Sequence, residues 1–162
     1  MKNKVAIIGG GTYTPLYNHI GLCSFAKGST ARQLAGLFLN TNMEPELHLS
    51  KMATSFGEKH SFHTNEDLQN LVNKLKADPQ TKIIVLNAAV IDYGWVSGSD
   101  DNPRPDSDII DPYLEKLPKI VEGIRDKDHK HIFLIAFKQT CGLEPNEMYL
   151  KGLDLCLSLI HI

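Results

Sequence analysis

The sequence predicts an α/β domain, a three-layer sandwich with a mostly parallel sheet, on three observations. Short apolar runs at 5–8, 83–86 and 132–137 read as buried strands. They alternate with longer segments whose apolar residues recur every three or four positions, which is the pattern of helices laid over a parallel sheet. The 162 residues, 42% hydrophobic, suffice for one packed core but not for two ordinary domains.

The first strand, Val5 to Ile8, runs into Gly9, Gly10 and Gly11 and then Thr12. These read as a tight turn whose exposed amides can cradle phosphate oxygens. A dinucleotide-binding fold would place a helix directly after such a turn, but Pro15, Tyr17, Asn18 and His19 stand there instead. The helix is postponed to Ser29–Phe38, where Ser29 or Thr30 can cap it and Leu34, Leu37 and Phe38 share a face. A short second strand, Leu47 to Leu49, follows the turn residues of "NTNMEP". In "HTNEDLQNLVNKLKAD", Thr64 or Asn65 caps a helix, Glu66 and Asp67 suit its positive first turn, and Leu68, Leu71, Val72 and Leu75 line one side. Pro79 ends it. "TKIIVLNAAVIDY" is a third strand, polar at its carboxyl end. "DPYLEKLPKIVEGIRD" is read as a third helix with Pro118 as a kink, "HIFLIAF" as a fourth strand, and Glu144 to Leu155 as a last helix opened by Pro145. The Asp-, Pro- and Ser-rich stretch 98–108 reads as a loop. The whole is Rossmann-like.

Composition excludes several functions. A net charge of -2 and a pI near 6.4 leave no basic surplus for nucleic acid, though a small anionic ligand fits. Cys23, Cys141 and Cys156 are odd in number and lack metal spacing, in keeping with a reduced, cytoplasmic location. No apolar stretch approaches the ~20 residues of a membrane span. His48, His60 and His63 cluster loosely with Glu58 but lack a third ligand at zinc spacing. There is no GxSxG elbow, Walker A lysine or CxxC pair.

In such a sheet, ligands gather outside the carboxyl ends of the strands. Three polar edges are expected to converge there: Gly9 to Thr12, Asn87 to Asp92, and Phe137 to Thr140. These residues carry a resemblance. "NAAVIDY" resembles the alanine-alanine-valine-alanine-aspartate-tyrosine strand end of the phosphopantothenoylcysteine synthetase family, the phosphopantothenate–cysteine ligases of coenzyme A biosynthesis. "GGGTYTP", "LPKIVEGI" and "LIAFKQT" are similar, in the same order, to that family's glycine-glycine-threonine-arginine-glutamate-proline, asparagine-proline-aspartate-isoleucine and glycine-phenylalanine-alanine-alanine-glutamate-threonine segments. "LSKMA" and "TNED" are similar to words of a bacterial branch described as a flavoprotein of pantothenate metabolism.

The resemblance implies a bound nucleotide, CTP or ATP with Mg²⁺, and a carboxylate substrate activated as an acyl-nucleotide that an amine then attacks. It places Gly10, Gly11 and Thr12 at the first turn, Asn87, Ala88, Ala89 and Asp92 along the nucleotide strand, Phe137 against the base and Lys151 as a phosphate-side cation. No catalytic residue and no resident metal are assigned, and a homodimer is an allowed assembly. Two departures weigh against turnover by this chain. The family's asparagine-centred serine-serine-glycine-lysine loop has no counterpart in "LCSFAKGSTA", and residues 94–115 hold aspartates and prolines but no lysine. Lys27 and Arg32 are candidate substitutes as phosphate partners. Residues 1–156 are read as an incomplete copy of the nucleotide-binding domain, and "LSLIHI", 157–162, is set apart as a candidate non-native tail, since it matches a transposon adapter translated in frame. The alternatives are a flavin- or NADP-binding oxidoreductase domain, for which Lys51 after the second strand argues against NAD, and a non-catalytic nucleotide-binding module.

Overall fold

The computed structural model describes residues 2–17, 20–95 and 114–160. Four strands form a parallel sheet in the order β4-β1-β5-β8: β1 (Lys4–Gly11), β4 (Glu44–Leu49), β5 (Thr81–Ala89) and β8 (Phe133–Ala136). The period-2 alternation of β1 and β5 sorts their side chains onto two faces. Val5, Ile7 and Val85 pack with Ala31 and Leu34 of α1 (Ser29–Phe38), whereas Ala6, Ile8, Ile84 and Leu86 pack with Leu68, Val72 and Leu75 of α2 (Asn65–Ala77). This is the three-layer sandwich expected. A third helix, α3 (Pro145–Ile160), runs beside β8, where Leu155 and Cys156 share a cleft with Leu134 and Ala136.

The caps explain where α2 begins. The Thr64 hydroxyl accepts from the Asp67 amide at 3.1 Å while the Asp67 carboxylate accepts from the Thr64 amide at 3.0 Å, a capping box that satisfies two otherwise orphaned amides. That amide holds the Asp67 carboxyl below its usual range.

Two sequence readings are corrected, and one segment left without an assignment gains one. The first strand does not stop at Ile8. Gly9, Gly10 and Gly11 continue the ladder opposite Asn87, Ala88 and Ala89, so the glycines are strand and not turn. The segment between β1 and α1 is an antiparallel pair, β2 (Tyr13–Tyr17) with β3 (Ile20–Cys23). The helix expected over 111–126 is absent where it can be seen: β7 (Leu114–Lys116) pairs antiparallel with β6 (Tyr93–Trp95), and only one 3-10 turn follows at Ile120–Gly123. Pro118 is the reason, since it disfavours helix at Leu117, whose amide instead donates to the Asp92 carbonyl at 2.8 Å. Ile120 and Ile124, spaced as in a helix, still reach the core. Residues 111–113 and the whole of the expected 98–108 loop, with its aspartates, lie outside the described residues.

Candidate functional site

The carboxyl ends of β5 and β8 border a cleft of about 180 Å³. Ala88, Val90 and Asp92 form one wall, the 118–121 segment a second, and Ala136, Phe137 and Lys138 the third, with Leu155 of α3 closing the side. Past Phe137, a second cleft of about 440 Å³ opens between the end of β8 and α3, and the two share Ala136, Phe137, Lys138 and Leu155. Phe137, 51% exposed, is thus a half-exposed ridge between them.

Of the sequence-derived residues, Ala88, Asp92 and Phe137 come together here. Asn87 and Ala89 are one step out of phase on β5, on the face that carries Ile83 and Val85 toward α1. Lys151 is exposed on α3 and lines neither cleft. Two lysines line the first as well: Lys138, inside the expected 137–140 edge but not singled out there, and Lys119, which sequence reasoning passed over. Their signal was adjacency, Lys138 following Phe137 and Lys119 following Pro118.

Gly10, Gly11 and Thr12 lie on the neighbouring strand, and protein already crowds them. Gly10 has φ +102°, which L side chains rarely adopt, and a Cβ there would meet the Ser50 hydroxyl. A Cβ on Gly11 would collide with the Ser24 carbonyl oxygen. Thr12 is fully buried. Its amide donates to the Ala89 carbonyl at 3.1 Å, its carbonyl accepts from the Ser24 amide at 3.0 Å, and its hydroxyl accepts from the Ile91 amide at 3.0 Å.

The other candidate cations are placed too. Arg32 is engaged, its guanidinium donating to the Ala53 carbonyl at 3.0 Å and to Glu58 at 3.4 Å. The Ser55 amide and Arg32 together hold the Glu58 carboxyl below its usual range. His63 stacks flat on Tyr13 at 4.8 Å, and burial, helped by Lys51, lowers its pKa. Among the described residues no group of three or more His, Cys, Asp or Glu is arranged to hold a metal, and no helix is long and apolar enough to cross a membrane.

No protein-family model matches the chain, and no curated protein matches it significantly. Solved structures do. A DNA/pantothenate metabolism flavoprotein from Streptococcus pneumoniae superposes with a TM-score of 0.80 at 16% identity, over 96% of this chain and 78% of that one. This chain has its fold. A Cab2 histidine-to-alanine variant in complex with phosphopantothenate–cysteine gives 0.72 at 16% identity, covering 94% and 68%. The C-terminal domain of the coenzyme A biosynthesis bifunctional protein CoaBC gives 0.66 at 18%, covering 94% and 71%. The motifs "GGGTYTP", "NAAVIDY" and "LIAFKQT" and the arrangement of the strands lead to the same group of structures. Identity at this level carries architecture; chemistry has to be argued from the cleft.

Proposed function

We propose that this domain binds the nucleotide and the carboxylate substrate of a phosphopantothenate–cysteine ligase-like reaction, and that as it stands it binds without ligating. The cleft carries the reading: an acid, two lysines and a half-exposed aromatic ring gather where a parallel sheet presents its carboxyl ends. Each has a role. Lys119 and Lys138 supply positive charge for phosphate or carboxylate oxygens, Asp92 accepts from a ligand hydroxyl or amide, and the ring of Phe137 takes a base or an apolar chain. Ala88 adds little bulk to its wall, so a ligand can lie close to the backbone there.

At about 180 Å³ the first cleft is smaller than a whole-ligand site, so one end of a nucleotide would sit there and the rest extend past Phe137 into the second. Among the described residues Asp92 is the one carboxylate lining the first cleft, so Mg²⁺ would arrive held by the phosphates of CTP or ATP. In such a ligase the carboxylate attacks the α-phosphorus and expels pyrophosphate, and the amine then displaces the nucleotide from the acyl carbon. No asparagine stands in the 22–31 stretch to steady that intermediate. A missing group of this kind typically lowers the rate by ~10²- to 10³-fold. A dinucleotide-binding oxidoreductase would need a helix directly after the β1 glycines, where the structure has β2. The domain is read as 1–156, with a cytoplasmic setting.

Thermal shift with CTP–Mg²⁺, ATP–Mg²⁺ and NADPH tests the proposal. Stabilisation by a triphosphate, reduced in Asp92→Asn while the ligand-free stability stays within about 0.5 kcal/mol, is expected. Stabilisation by NADPH alone, or no response at millimolar ligand, refutes it. Cysteine-dependent pyrophosphate release by the 162-residue chain would refute the non-ligating half.

A further inference from the structure

We infer that Thr12 and Asn65 are positioning residues that aim Asp92 and Val90 into the cleft by clamping the backbone of Ile91 between them; this rests on the binding role of Asp92 proposed above. The need for a clamp follows from the sheet. The β5–β8 ladder ends at Leu86↔Ala136 and the β1–β5 ladder at Gly11↔Ala89, so residues 90–92 run on beyond any parallel partner. A segment without a ladder would be free to wander, and a carboxylate on it would lose much of its binding energy to ordering.

Both backbone groups of Ile91 are nevertheless taken, each by a side chain from a different element. Its amide donates to the Thr12 hydroxyl at 3.0 Å, and its carbonyl accepts from the Asn65 side-chain amide at 2.7 Å. Neither anchor is itself loose. Thr12 follows directly on β1, is fully buried and has its amide and carbonyl bonded to Ala89 and Ser24. Asn65 is the first residue of α2, immediately after the Thr64 cap that the capping box holds. Val90 and Asp92, on either side of Ile91, both line the cleft, and the Asp92 carbonyl accepts from Leu117 at 2.8 Å. Fixing Ile91 therefore fixes a wall residue and the cleft's acid together.

The arrangement gives the glycine–threonine stretch a purpose that phosphate cradling does not. A fully buried hydroxyl already accepting from Ile91 is out of reach of a ligand. Instead, Gly11 brings β1 close enough beneath the Ser24 carbonyl for Thr12 to turn inward under Ile91. Asn65 acts from α2 on the next peptide unit, so the two units that flank the Ile91 Cα are each held.

Three substitutions separate positioning from bulk structure. Thr12→Val keeps the shape and removes the acceptor; Asn65→Asp keeps the size and sets a carboxylate oxygen against the Ile91 carbonyl; Thr12→Ser retains the hydroxyl. With CTP–Mg²⁺ as the probe in calorimetric titration, we expect Thr12→Val and Asn65→Asp to raise Kd by about 5- to 20-fold and Thr12→Ser by less than about twofold. In an Asp92→Asn background the first two should add less than about twofold, because they act through the acid already removed. Kd unchanged in the folded single variants, or an equal loss in both backgrounds, overturns the inference. Amide exchange at Ile91 supplies a readout that needs no ligand. Protection there in the wild type, lost by about tenfold or more in Thr12→Val while Ile84 and Val85 stay protected, is expected. An unprotected Ile91 amide overturns the clamp even if CTP binds. A protected Ile91 in a protein that binds no CTP refutes the proposed function and leaves the clamp geometry standing.

Discussion

Replacing Gly11 by alanine should be among the most damaging single-methyl additions this fold can receive. The new Cβ would lie within bonding range of the Ser24 carbonyl oxygen, 1.7 Å away, and 2.7 Å from its carbon. Backbone cannot swing aside as a long side chain can, so the 24–28 segment has to retreat by more than an ångström. That movement strains two hydrogen bonds, Ser24 amide to Thr12 carbonyl at 3.0 Å and Ala26 amide to Ser24 carbonyl at 2.9 Å. At about 0.5–1.5 kcal/mol each, added to about 1–3 kcal/mol for overpacking, the loss comes to about 2–6 kcal/mol. For a chain of this size that is a fall in Tm of roughly 4–24 °C. Gly36→Ala is the matched control, because a methyl at this exposed position inside α1 meets nothing within 4 Å. It should stabilise by about 0.5–1 kcal/mol through helix propensity. Thermal and urea unfolding of both variants beside the wild type read the difference. A loss below about 1 kcal/mol in Gly11→Ala would refute the close-approach reasoning, since it would mean the 24–28 segment yields freely.

Other outcomes follow from features already described. Thr64→Ala removes the acceptor half of the capping box and should cost about 1 kcal/mol in urea unfolding; an unchanged midpoint would mean that Asp67 alone holds the helix start. His48 and His63 both have folded pKa values below the unfolded 6.5, chiefly from burial. Below that pH the unfolded chain takes up protons that the folded one resists, so stability is full above about pH 6.5 and falls as the pH drops through the folded values. The fall in Tm between pH 7 and pH 5 should shrink in His48→Gln and in His63→Gln. Asp67 and Glu58, whose folded pKa values lie below their unfolded ones, withdraw their contribution only at lower pH, near and below the ordinary carboxylate range, so the two windows separate.

The elements legible in the sequence were those whose signal is local. α1 matches its expected bounds, α2 announces itself through Thr64, Asp67 and the Leu68–Leu75 stripe, and β5 through the run from Thr81. The two antiparallel pairs were not legible, because each strand is short and its partner alone gives it meaning. Tyr93–Trp95 and Leu114–Lys116 stand far apart in the chain, and Pro15 in Tyr13–Tyr17 argues against a strand in any window reading. The site divided similarly. That Asp92 and Phe137 border the cleft follows from their places just beyond strand ends, whereas Lys119 borders it through a 3-10 turn for which the sequence predicts a helix. Thr12, expected at a phosphate-binding turn, is fully buried directly after β1, which no local pattern around it signals.

The sheet's uneven stitching has a dynamic consequence. β1 and β5 face each other from Lys4↔Thr81 to Gly11↔Ala89, while β8 is joined only from Ile83↔Phe133 to Leu86↔Ala136. Phe133 and several side chains of α3, Tyr149 and Leu150 among them, stay well exposed. Local opening should therefore begin on the β8 side long before the β1–β5 half yields. The cleft straddles that seam, with Ala88 and Asp92 on the firm bank and Phe137 and Lys138 on the loose one. A molecule bridging the two would act as a suture, and part of its affinity would be consumed in stilling β8 and α3 rather than appearing in the dissociation constant.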